Sequence, residues 1–312
     1  MKTTAPVHEL FLNYACNAKC PFCYNPPITQ ELLRLDLSFE QAAASLYKAA
    51  KAGRTRLNLH GGEVTLRDDL AKLVALARKL GFSQITLVTN GIRLGYPEYV
   101  ESLVESGLTH VRISVHAADA KTHDEIVAIP GAYEKVLKAV GNVRDADIPL
   151  GLNFVIIKKN LAKLPDFLSY FCGELKVDDV ILYFPHLRGM MALNADREAP
   201  TYAESAPFIK KGFARLGRAR ESVLLANFPP CALPELADRM LDWARDDHAP
   251  ADMTHPEGFS EDVGEMKDGQ RAPVPACAAC ALEPRCLGVE REYVARRGAG
   301  EFAPVKKEPA RT

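Results

Sequence analysis

The chain has 312 residues, a formal net charge of -1 at pH 7, 47% hydrophobic residues and 25% charged residues. This balance is typical of a soluble globular protein and gives no overall attraction to nucleic acid or to an anionic membrane. No apolar run approaches the roughly 18 residues that span a bilayer, and no secretory signal is visible at the N-terminus. We therefore expect a cytoplasmic protein with neither nucleic-acid nor membrane partners.

Strands and helices alternate along most of the chain. The first long helix is predicted from Ser38 as N-cap, with Gln41 completing a capping box and Gly53 as the stop. The predicted strands cover 8–14, 56–60, 83–90, 109–117, 149–157 and 178–184, and a further apolar segment covers 222–228. Alternation at this spacing predicts a parallel sheet. The number of strand–helix units favours a partial (β/α)6 TIM-like barrel over a doubly wound sheet, although periodicity alone does not separate the two folds.

Polar residues alternate with apolar residues along these strands, whereas strands buried on both faces read as continuous apolar runs. Asn58 and His60 share one face of the second strand, and Arg112, Ser114 and His116 share one face of the fourth. Asn13 and Asn153 are predicted to hold equivalent places on other strands. A polar barrel interior is costly unless its groups find partners. We therefore expect an open interior that binds a polar molecule.

Seven of the eight cysteines fall into two groups. Cys16, Cys20 and Cys23 follow the first strand, whereas Cys231, Cys277, Cys280 and Cys286 lie near the end of the chain. After residue 228 the periodicity gives way to a sequence rich in Pro, Asp and Gly. We therefore predict a barrel domain over 1–230 and a small, irregular, cluster-binding lobe over 231–312.

The first cysteine group has the spacing C-x3-C-x2-C. Thiolates suit zinc, copper(I) or iron–sulfur clusters. A structural zinc site needs four closed ligands, whereas a [4Fe–4S] cluster held by three cysteines keeps one iron open for an external ligand. The iron without a cysteine ligand is thus a candidate binding position. A zinc-binding loop is the alternative interpretation of the three cysteines.

This spacing directly after a first strand resembles the radical S-adenosylmethionine (radical SAM) superfamily. The further segments "HGGEVT" (60–65), "VTNG" (88–91), "ISVHA" (113–117) and "LNFVIIKKN" (152–160) resemble later motifs of that superfamily and come in the expected order. The resemblance covers roughly residues 8–230. Val64 departs from it, because a proline often follows "GGE".

The resemblance implies that Cys16, Cys20 and Cys23 hold a [4Fe–4S] cluster whose open iron binds the methionine end of SAM. It implies that Gly61, Gly62 and Glu63 receive the SAM amino group, and that Ser114 and Asn153 contact the ribose or carboxylate. The backbone near Tyr24 would meet the adenine, and His116 lies beside this site. The implied chemistry is reductive cleavage of SAM to a 5′-deoxyadenosyl radical that abstracts a hydrogen atom from the substrate. An external flavodoxin- or ferredoxin-like protein would supply the electron.

The second cysteine group resembles a shortened SPASM or Twitch region, which binds auxiliary iron–sulfur clusters. The last cysteine of the SPASM pattern would fall at Glu290, and further partner cysteines are absent, so one auxiliary [4Fe–4S] cluster is expected rather than two. Cys231 is its predicted fourth ligand from position alone. A closed structural zinc site is the alternative.

Two interpretations remain open for several other residues. Cys172, in "SYFCGE", is predicted to be a packed core thiol, with donation of a hydrogen atom to a substrate radical as the alternative. The segment 186–197 is predicted to be a solvated loop, with Arg188 as a possible clamp for an anionic group. The remaining histidines have no metal-ligand spacing and are assigned to solvent or loop positions: His8, His110, His123, His186, His248 and His255.

The leading hypothesis is an enzyme that modifies a natural product or a ribosomal peptide by epimerisation, cross-linking or oxidation. Because only fifteen residues precede Cys16, no peptide-binding module is expected there, which favours a small-molecule substrate. An activase that places a glycyl radical on a partner protein is a second possibility. A zinc-stapled binding protein without catalytic activity is a third.

Overall fold

The architecture is a curved ten-stranded sheet with helices on its outer face, accompanied by a short two-stranded sheet near the C-terminus. It is described by a computed structural model for residues 6–244, 251–260 and 263–306. The strands are β1 (Val7–Phe11), β2 (Arg56–His60), β3 (Gln84–Thr89), β4 (His110–Ser114), β5 (Leu150–Val155), β6 (Asp179–Tyr183), β7 (Val223–Ala226), β8 (Met240–Leu241), β9 (Ala251–His255), β10 (Gly258–Ser260), β11 (Arg271–Ala272) and β12 (Val289–Glu290).

The helices follow the strands in the predicted alternation. They are α1 (Gln30–Leu33), α2 (Phe39–Lys51), α3 (Leu70–Lys79), α4 (Pro97–Glu105), α5 (Ala120–Val127), α6 (Ala132–Asp145), α7 (Lys158–Leu161), α8 (Leu164–Leu168), α9 (Gly189–Glu198), α10 (Tyr202–Arg215), α11 (Val263–Gly269) and α12 (Arg291–Arg297). A π-helical turn, Ser169–Glu174, extends α8. Helix α2 has the predicted Ser38 cap and the Gln41 capping box.

Ten strands of the described chain form one sheet in the order β10-β9-β1-β2-β3-β4-β5-β6-β7-β8. Strands β1 to β8 pair in parallel with their neighbours in chain order, as βαβ units require. This arrangement confirms the prediction of a partial TIM-like α/β fold.

The hydrophobic core lies between the sheet and its helices. The apolar members of the alternating strands point into it and are completely buried: Leu57, Leu59, Ile113, Val115, Leu152 and Phe154. Their polar neighbours therefore point to the inner, concave face, because successive side chains of a strand face opposite sides. This alternation places polar side chains inside the barrel.

The region after residue 230 is less irregular than predicted. It adds β8 beside β7, and it adds the hairpin β9–β10 beside β1, where β9 runs parallel to β1. Side-chain contacts of Asp252 hold β9 beside β1. His8 Nδ1 lies 2.5 Å from Asp252 Oδ1, and Arg54 Nε donates to Asp252 Oδ2 at 2.9 Å. The sequence did not reveal these strands because they have only two to five residues, too few for a periodic pattern to show.

Candidate active site and a second cysteine site

One cavity of about 1100 Å³ occupies the concave face of the sheet. The thiols of the first cysteine group line it, together with alternate residues of strands β1 to β8. Its polar wall includes Asn58, His60, Arg112, Ser114, His116 and Asn153, as the alternation predicted. Asn13, in contrast, does not line the cavity. It is 1% exposed and donates through Nδ2 to the carbonyls of Ala15 (2.8 Å) and Glu63 (3.3 Å).

The three cysteines after β1 lie in a loop that faces this cavity. All three are reduced and half-buried. Burial is the main cause of a raised pKa at each thiol, and negative charge at Cys23 adds to the rise at Cys16 and Cys20; the pKa of Cys16 reaches about 11. This mutual effect reflects their proximity. The Ala18 amide donates to Cys16 Sγ at 3.4 Å, a contact that favours a thiolate.

Helix α9 holds the far end of the cysteine loop. The amides of Met190 and Met191 donate to the carbonyls of Asn25 (2.9 Å) and Cys23 (3.1 Å), and Asn194 Nδ2 donates to the Pro21 carbonyl at 3.0 Å. The prediction of a solvated loop over 186–197 was therefore wrong. The residue in the sequence that could have indicated the start of α9 is Gly189. Its φ of 55° lies in the region that favours glycine.

The adjacent glycines Gly61 and Gly62 let the end of β2 lie against the end of β1. The Gly62 amide donates to the Asn13 carbonyl at 2.5 Å, and the Glu63 amide donates to the Ala15 carbonyl at 2.8 Å. A Cβ at Gly61 would come within 2.5 Å of the Asn13 carbonyl oxygen, and one at Gly62 would overlap with backbone carbonyls. Both glycines line the cavity and leave backbone exposed to it.

Glu63 lies behind the cavity wall. Its side chain is 1% exposed, and the residue does not line the cavity. Oε1 accepts from the Thr65 amide (3.0 Å) and from the hydroxyls of Thr65 and Thr89 (both 2.6 Å), while Oε2 accepts from the Asn90 amide (2.7 Å). Four donors from the protein thus surround this carboxylate.

The other residues implied by the resemblance lie on the cavity surface. Ser114 and Asn153 are register partners on β4 and β5, and Tyr24 is half exposed beside the cysteine loop. His116 is buried, and its ring lies 4.5 Å from that of Phe22, measured between ring centroids. Burial lowers the pKa of His116 well below its ordinary value, so the imidazole is neutral.

Charged and polar side chains pair with one another along the walls of the cavity. On one wall Glu9 accepts from Asn58 Nδ2 at 2.8 Å, and Glu9 Oε2 lies 3.5 Å from His60 Nε2. On the opposite wall Arg112 donates to Asp179 at 2.6 Å. Burial lowers the pKa of His60, leaving a neutral imidazole beside the Glu9 carboxylate.

Several of the residues singled out in the sequence lie away from the cavity or have other partners. Cys172 is 4% exposed in the hydrophobic core and does not line the cavity, a position that favours a core thiol. Arg188 pairs with Glu292 of α12 at 2.9 Å. His8 and His123 are buried and hydrogen-bonded rather than solvated, so their loop assignment was wrong. His248 lies outside the described residues.

The second cysteine group converges on a separate small cavity. Cys231, Cys277, Cys280 and Cys286 all line it, although the first two are 46 positions apart in the sequence. Burial, with a further contribution from negative charge at the other three cysteines, raises the pKa of the Cys231 thiol to about 12. Two backbone amides donate to sulfur there, from Val274 to Cys277 (3.4 Å) and from Gly288 to Cys286 (3.3 Å).

A side-chain contact connects the region of the second cysteine group to the first cavity. His186, which lines the large cavity, lies 2.5 Å from Glu290 of β12 through Nδ1 and Oε1, and the Glu290 side chain is 7% exposed. Asn227 Nδ2 contacts His186 Nε2 at 3.0 Å. The chain near the second cysteine group is thereby fixed against the open end of the barrel.

No three His, Cys, Asp or Glu side chains in the described ranges are grouped to hold a single metal ion. A [4Fe–4S] cluster does not need such a grouping, because it binds each thiolate through a different iron. None of the helices within residues 6–244, 251–260 and 263–306 has both the length and the apolar character of a membrane crossing.

Residues 11–171, just over half of the chain, match the model of the family described as the radical SAM superfamily. The chain belongs to the radical SAM superfamily. Members of this superfamily are enzymes, and membership implies a [4Fe–4S] cluster and SAM. The residues fit both groups, because three thiols face a cavity large enough for a small molecule and two glycines expose backbone beside them.

Solved radical SAM enzymes have the same fold. SuiB of Streptococcus suis bound to SAM has a TM-score of 0.68 at 16% identity over 96% of this chain and 76% of that chain. The enzyme anSMEcpe with bound SAM gives 0.65 at 14% identity, over 96% and 93% of the two chains. HemN of Escherichia coli gives 0.54 at 15% identity, over 70% and 54%. At these identities the likeness concerns the fold.

Proposed function

We propose that this radical SAM protein removes a hydrogen atom from a natural-product or ribosomal-peptide substrate bound in the large cavity. Cys16, Cys20 and Cys23 would hold a [4Fe–4S] cluster with one open iron. The observation that carries the proposal is that the three thiols and the polar faces of strands β1 to β6 line one cavity of about 1100 Å³. Such a cluster supplies one electron to the SAM sulfonium, which releases the 5′-deoxyadenosyl radical.

The residues around the thiols suit the binding of SAM. Backbone groups of Gly61 and Gly62 would meet its methionine end, since no side chain covers them. Ser114 and Asn153 are paired on adjacent strands and offer a hydroxyl and an amide to the ribose or carboxylate. Tyr24 and His116 border the same end of the cavity and would contact the remaining surface of SAM.

The middle of the cavity would hold the substrate. Its walls carry the Glu9–His60 and Arg112–Asp179 pairs, which match a polar molecule better than an apolar one. Epimerisation, cross-linking and oxidation all begin with hydrogen abstraction and are compatible with such a site. A structure of anSMEcpe that holds SAM and the Kp18Cys peptide covers 90% of this chain at 13% identity, with a TM-score of 0.64. That similarity supports keeping peptides among the candidate substrates.

The second cysteine group would hold one auxiliary [4Fe–4S] cluster. Four thiols lining one small cavity support Cys231 as the fourth ligand beside Cys277, Cys280 and Cys286. Four closed cysteine ligands suit a cluster that binds no external molecule. Four cysteine thiolates are also the ligand set of a structural zinc site, although the described side chains are not grouped around a single ion; metal analysis separates the two. The region would then be a shortened SPASM- or Twitch-like appendage of the barrel domain.

The test is the cleavage of SAM by the reconstituted protein. With dithionite in place of the expected flavodoxin- or ferredoxin-like donor, the wild type should convert SAM into methionine and 5′-deoxyadenosine. A Cys20→Ser variant should bind less iron and form neither product, whereas Cys172→Ser should retain this activity because Cys172 lies in the core. A colourless wild type without cleavage would instead support a zinc-stapled binding protein.

A further inference from the structure

The walls of the large cavity carry more negative than positive side chains. In the described structure five carboxylates line it, but only three guanidinium groups and no lysine do so: Glu9, Asp178, Asp179, Glu221 and Asp238, against Arg56, Arg112 and Arg239. Counted formally, the carboxylates exceed the guanidinium groups by two. A cleft lined by an excess of one charge attracts a ligand of the opposite charge. The cavity therefore favours a cationic substrate over an anionic one.

Glu9 is the carboxylate of this set that stands beside uncharged groups. Arginine donates to two of the others, from Arg112 to Asp179 at 2.6 Å and from Arg239 to Asp238 at 2.9 Å. Within the described part of the chain, Glu9 has no lysine or arginine partner, and its one ion-pair contact is with a neutral histidine. A half-buried carboxylate without a cation is costly, so Glu9 is suited to receive a cation from a ligand.

The two neighbours of Glu9 on β2 leave acceptors available. Asn58 Nδ2 donates to Glu9 Oε1 at 2.8 Å, which fixes the carboxylate against the wall. His60 Nε2 lies 3.5 Å from Glu9 Oε2, and this buried nitrogen has no hydrogen-bond partner among the described residues. An ammonium group has three donors that point in different directions. It could therefore donate to Glu9 Oε2 and to His60 Nε2 at the same time.

The surroundings of Glu9 suit an organic cation and leave room for SAM. Tyr183 of β6 also lines the cavity. Burial is the main cause that raises the pKa of Tyr183 to about 12, and negative charge at Glu9 contributes, so the two side chains lie close enough to interact. Aromatic rings attract organic cations. Asn58 lies three residues before Gly61, which is about 10 Å along a strand, so a ligand beside Glu9 would not occupy the space next to the glycines.

We propose that Glu9, Asn58 and His60 form a subsite for a protonated amine, and that the substrate of this cavity carries a primary ammonium group. This inference rests on the proposed function and names the substrate class for it. Glu9 Oε2 and His60 Nε2 accept hydrogen bonds from the ammonium group, while Asn58 holds the carboxylate in position. The amine then anchors the substrate on the wall formed by β1 and β2.

The experiment compares two probes of similar size that differ by one charge, para-fluorobenzylammonium and para-fluorobenzyl alcohol. Fluorine NMR measures their dissociation constants on the anaerobic, reconstituted holoenzyme with SAM present and without reductant, so that SAM stays intact. Glu9→Gln removes the charge at nearly constant size, and His60→Phe removes the acceptor nitrogen. Glu101→Gln is the matched control, because Glu101 is exposed on α4. Circular dichroism shows whether each variant is folded.

The wild type should bind the ammonium probe at least about tenfold more tightly than the alcohol, because hydrogen bonds between ionised groups are stronger than those of a neutral hydroxyl. Glu9→Gln should weaken binding of the ammonium probe by roughly tenfold or more and change that of the alcohol by less than about twofold. His60→Phe should weaken binding of the ammonium probe by roughly threefold or more. Glu101→Gln should bind both probes like the wild type.

Two results would overturn the inference. If the wild type binds the ammonium probe no more tightly than the alcohol, the cavity has no amine subsite. If Glu9→Gln weakens the binding of both probes to the same extent, Glu9 shapes the cavity and does not bind a cation. Either result in a protein that contains iron and cleaves SAM would leave the proposed function standing. A wild type that takes up no iron and cleaves no SAM would overturn the proposed function, and this inference with it.

Discussion

At the scale of single residues, backbone contact explains why glycine occupies position 62. A side chain there would overlap with the carbonyl oxygens of Tyr14 and Ala15, which belong to the segment leading to the cysteine loop. The Gly62 amide also donates to Asn13 at 2.5 Å. The close approach of two strand ends therefore depends on the absence of a Cβ.

Gly62→Ala should lower the free energy of unfolding by about 1–3 kcal/mol, because backbone must move to admit the methyl group. The matched control is Gly141→Ala in α6, where a Cβ would meet nothing within 4 Å. That control should be unchanged or more stable by about 0.5–1 kcal/mol, since alanine favours a helix. Urea titrations would measure both, and equal stability of Gly62→Ala and the wild type would contradict the close-contact explanation.

A buried histidine beside the cavity makes stability depend on pH. Burial lowers the pKa of His123 from about 6.5 to about 4, and its Nδ1 accepts from the His116 amide at 3.2 Å. Below pH 6.5 the unfolded chain binds a proton that the native state rejects. This contribution to stability is therefore complete above pH 6.5 and is lost as the pH falls toward 4.

Between pH 7.5 and pH 5.5 the free energy of unfolding should fall by about 1 kcal/mol because of His123. The lower end of this interval lies roughly one pH unit below the pKa of a histidine in the unfolded chain. His123→Asn keeps a side-chain acceptor but cannot titrate, so its loss over the same interval should be smaller by that amount. Unfolding by urea at both pH values provides the comparison. Equal losses in the two proteins would exclude this role of His123.

At the scale of elements, α9 is the support of the cysteine loop. Its first turn and Asn194 contact the carbonyls of Pro21, Cys23 and Asn25. The helix N-terminus offers free amides that the loop carbonyls satisfy. An element that follows β6 in sequence thus fixes ligands that follow β1.

Asn194→Ala should loosen the loop, because the Pro21 carbonyl loses its donor. We expect faster amide hydrogen exchange over residues 19–25 and a lower iron content after gel filtration. Leu193→Ala is the control on the same helix, since Leu193 is 70% exposed, and it should leave both quantities unchanged. The same exchange rate in Asn194→Ala as in the wild type would show that the loop is held by other contacts.

Much of the element pattern follows from the sequence for local physical reasons. The α2 capping box and the alternation of Asn58 and His60 with Leu57 and Leu59 predict both the helix start and the cavity wall. The role of α9 could not be predicted in this way, because its contacts join segments more than 160 residues apart. The parallel pairing of β9 with β1 likewise joins distant segments, whereas Glu63 is buried by nearer partners, Thr65, Thr89 and Asn90.

At the scale of the whole molecule, the chain brings two cysteine groups to two separate cavities on one sheet scaffold. The barrel presents three thiols to a large polar cavity, and the region after β7 presents four thiols to a small one. The first arrangement leaves room for SAM and a substrate. In the second arrangement four thiols line one small cavity, and a contact between His186 and Glu290 connects this region to the barrel.

The two sites should lose metal independently. Cys231→Ala should remove only the auxiliary cluster, because Cys231 does not line the large cavity. We expect about four iron atoms per chain in this variant, with cleavage of SAM to 5′-deoxyadenosine retained. Loss of all iron in a folded Cys231→Ala variant would mean that the two cysteine groups do not act as separate sites.

The most direct test of the account is the amount of iron and acid-labile sulfide per chain after anaerobic purification and reconstitution. Two [4Fe–4S] clusters require about eight of each, and a variant with Cys16, Cys20 and Cys23 all changed to Ala should retain about four. About four iron atoms with zinc in the wild type would make the second site a structural zinc site. A wild type that takes up no iron would contradict the central claim that the first cysteine group holds the cluster of a radical SAM enzyme.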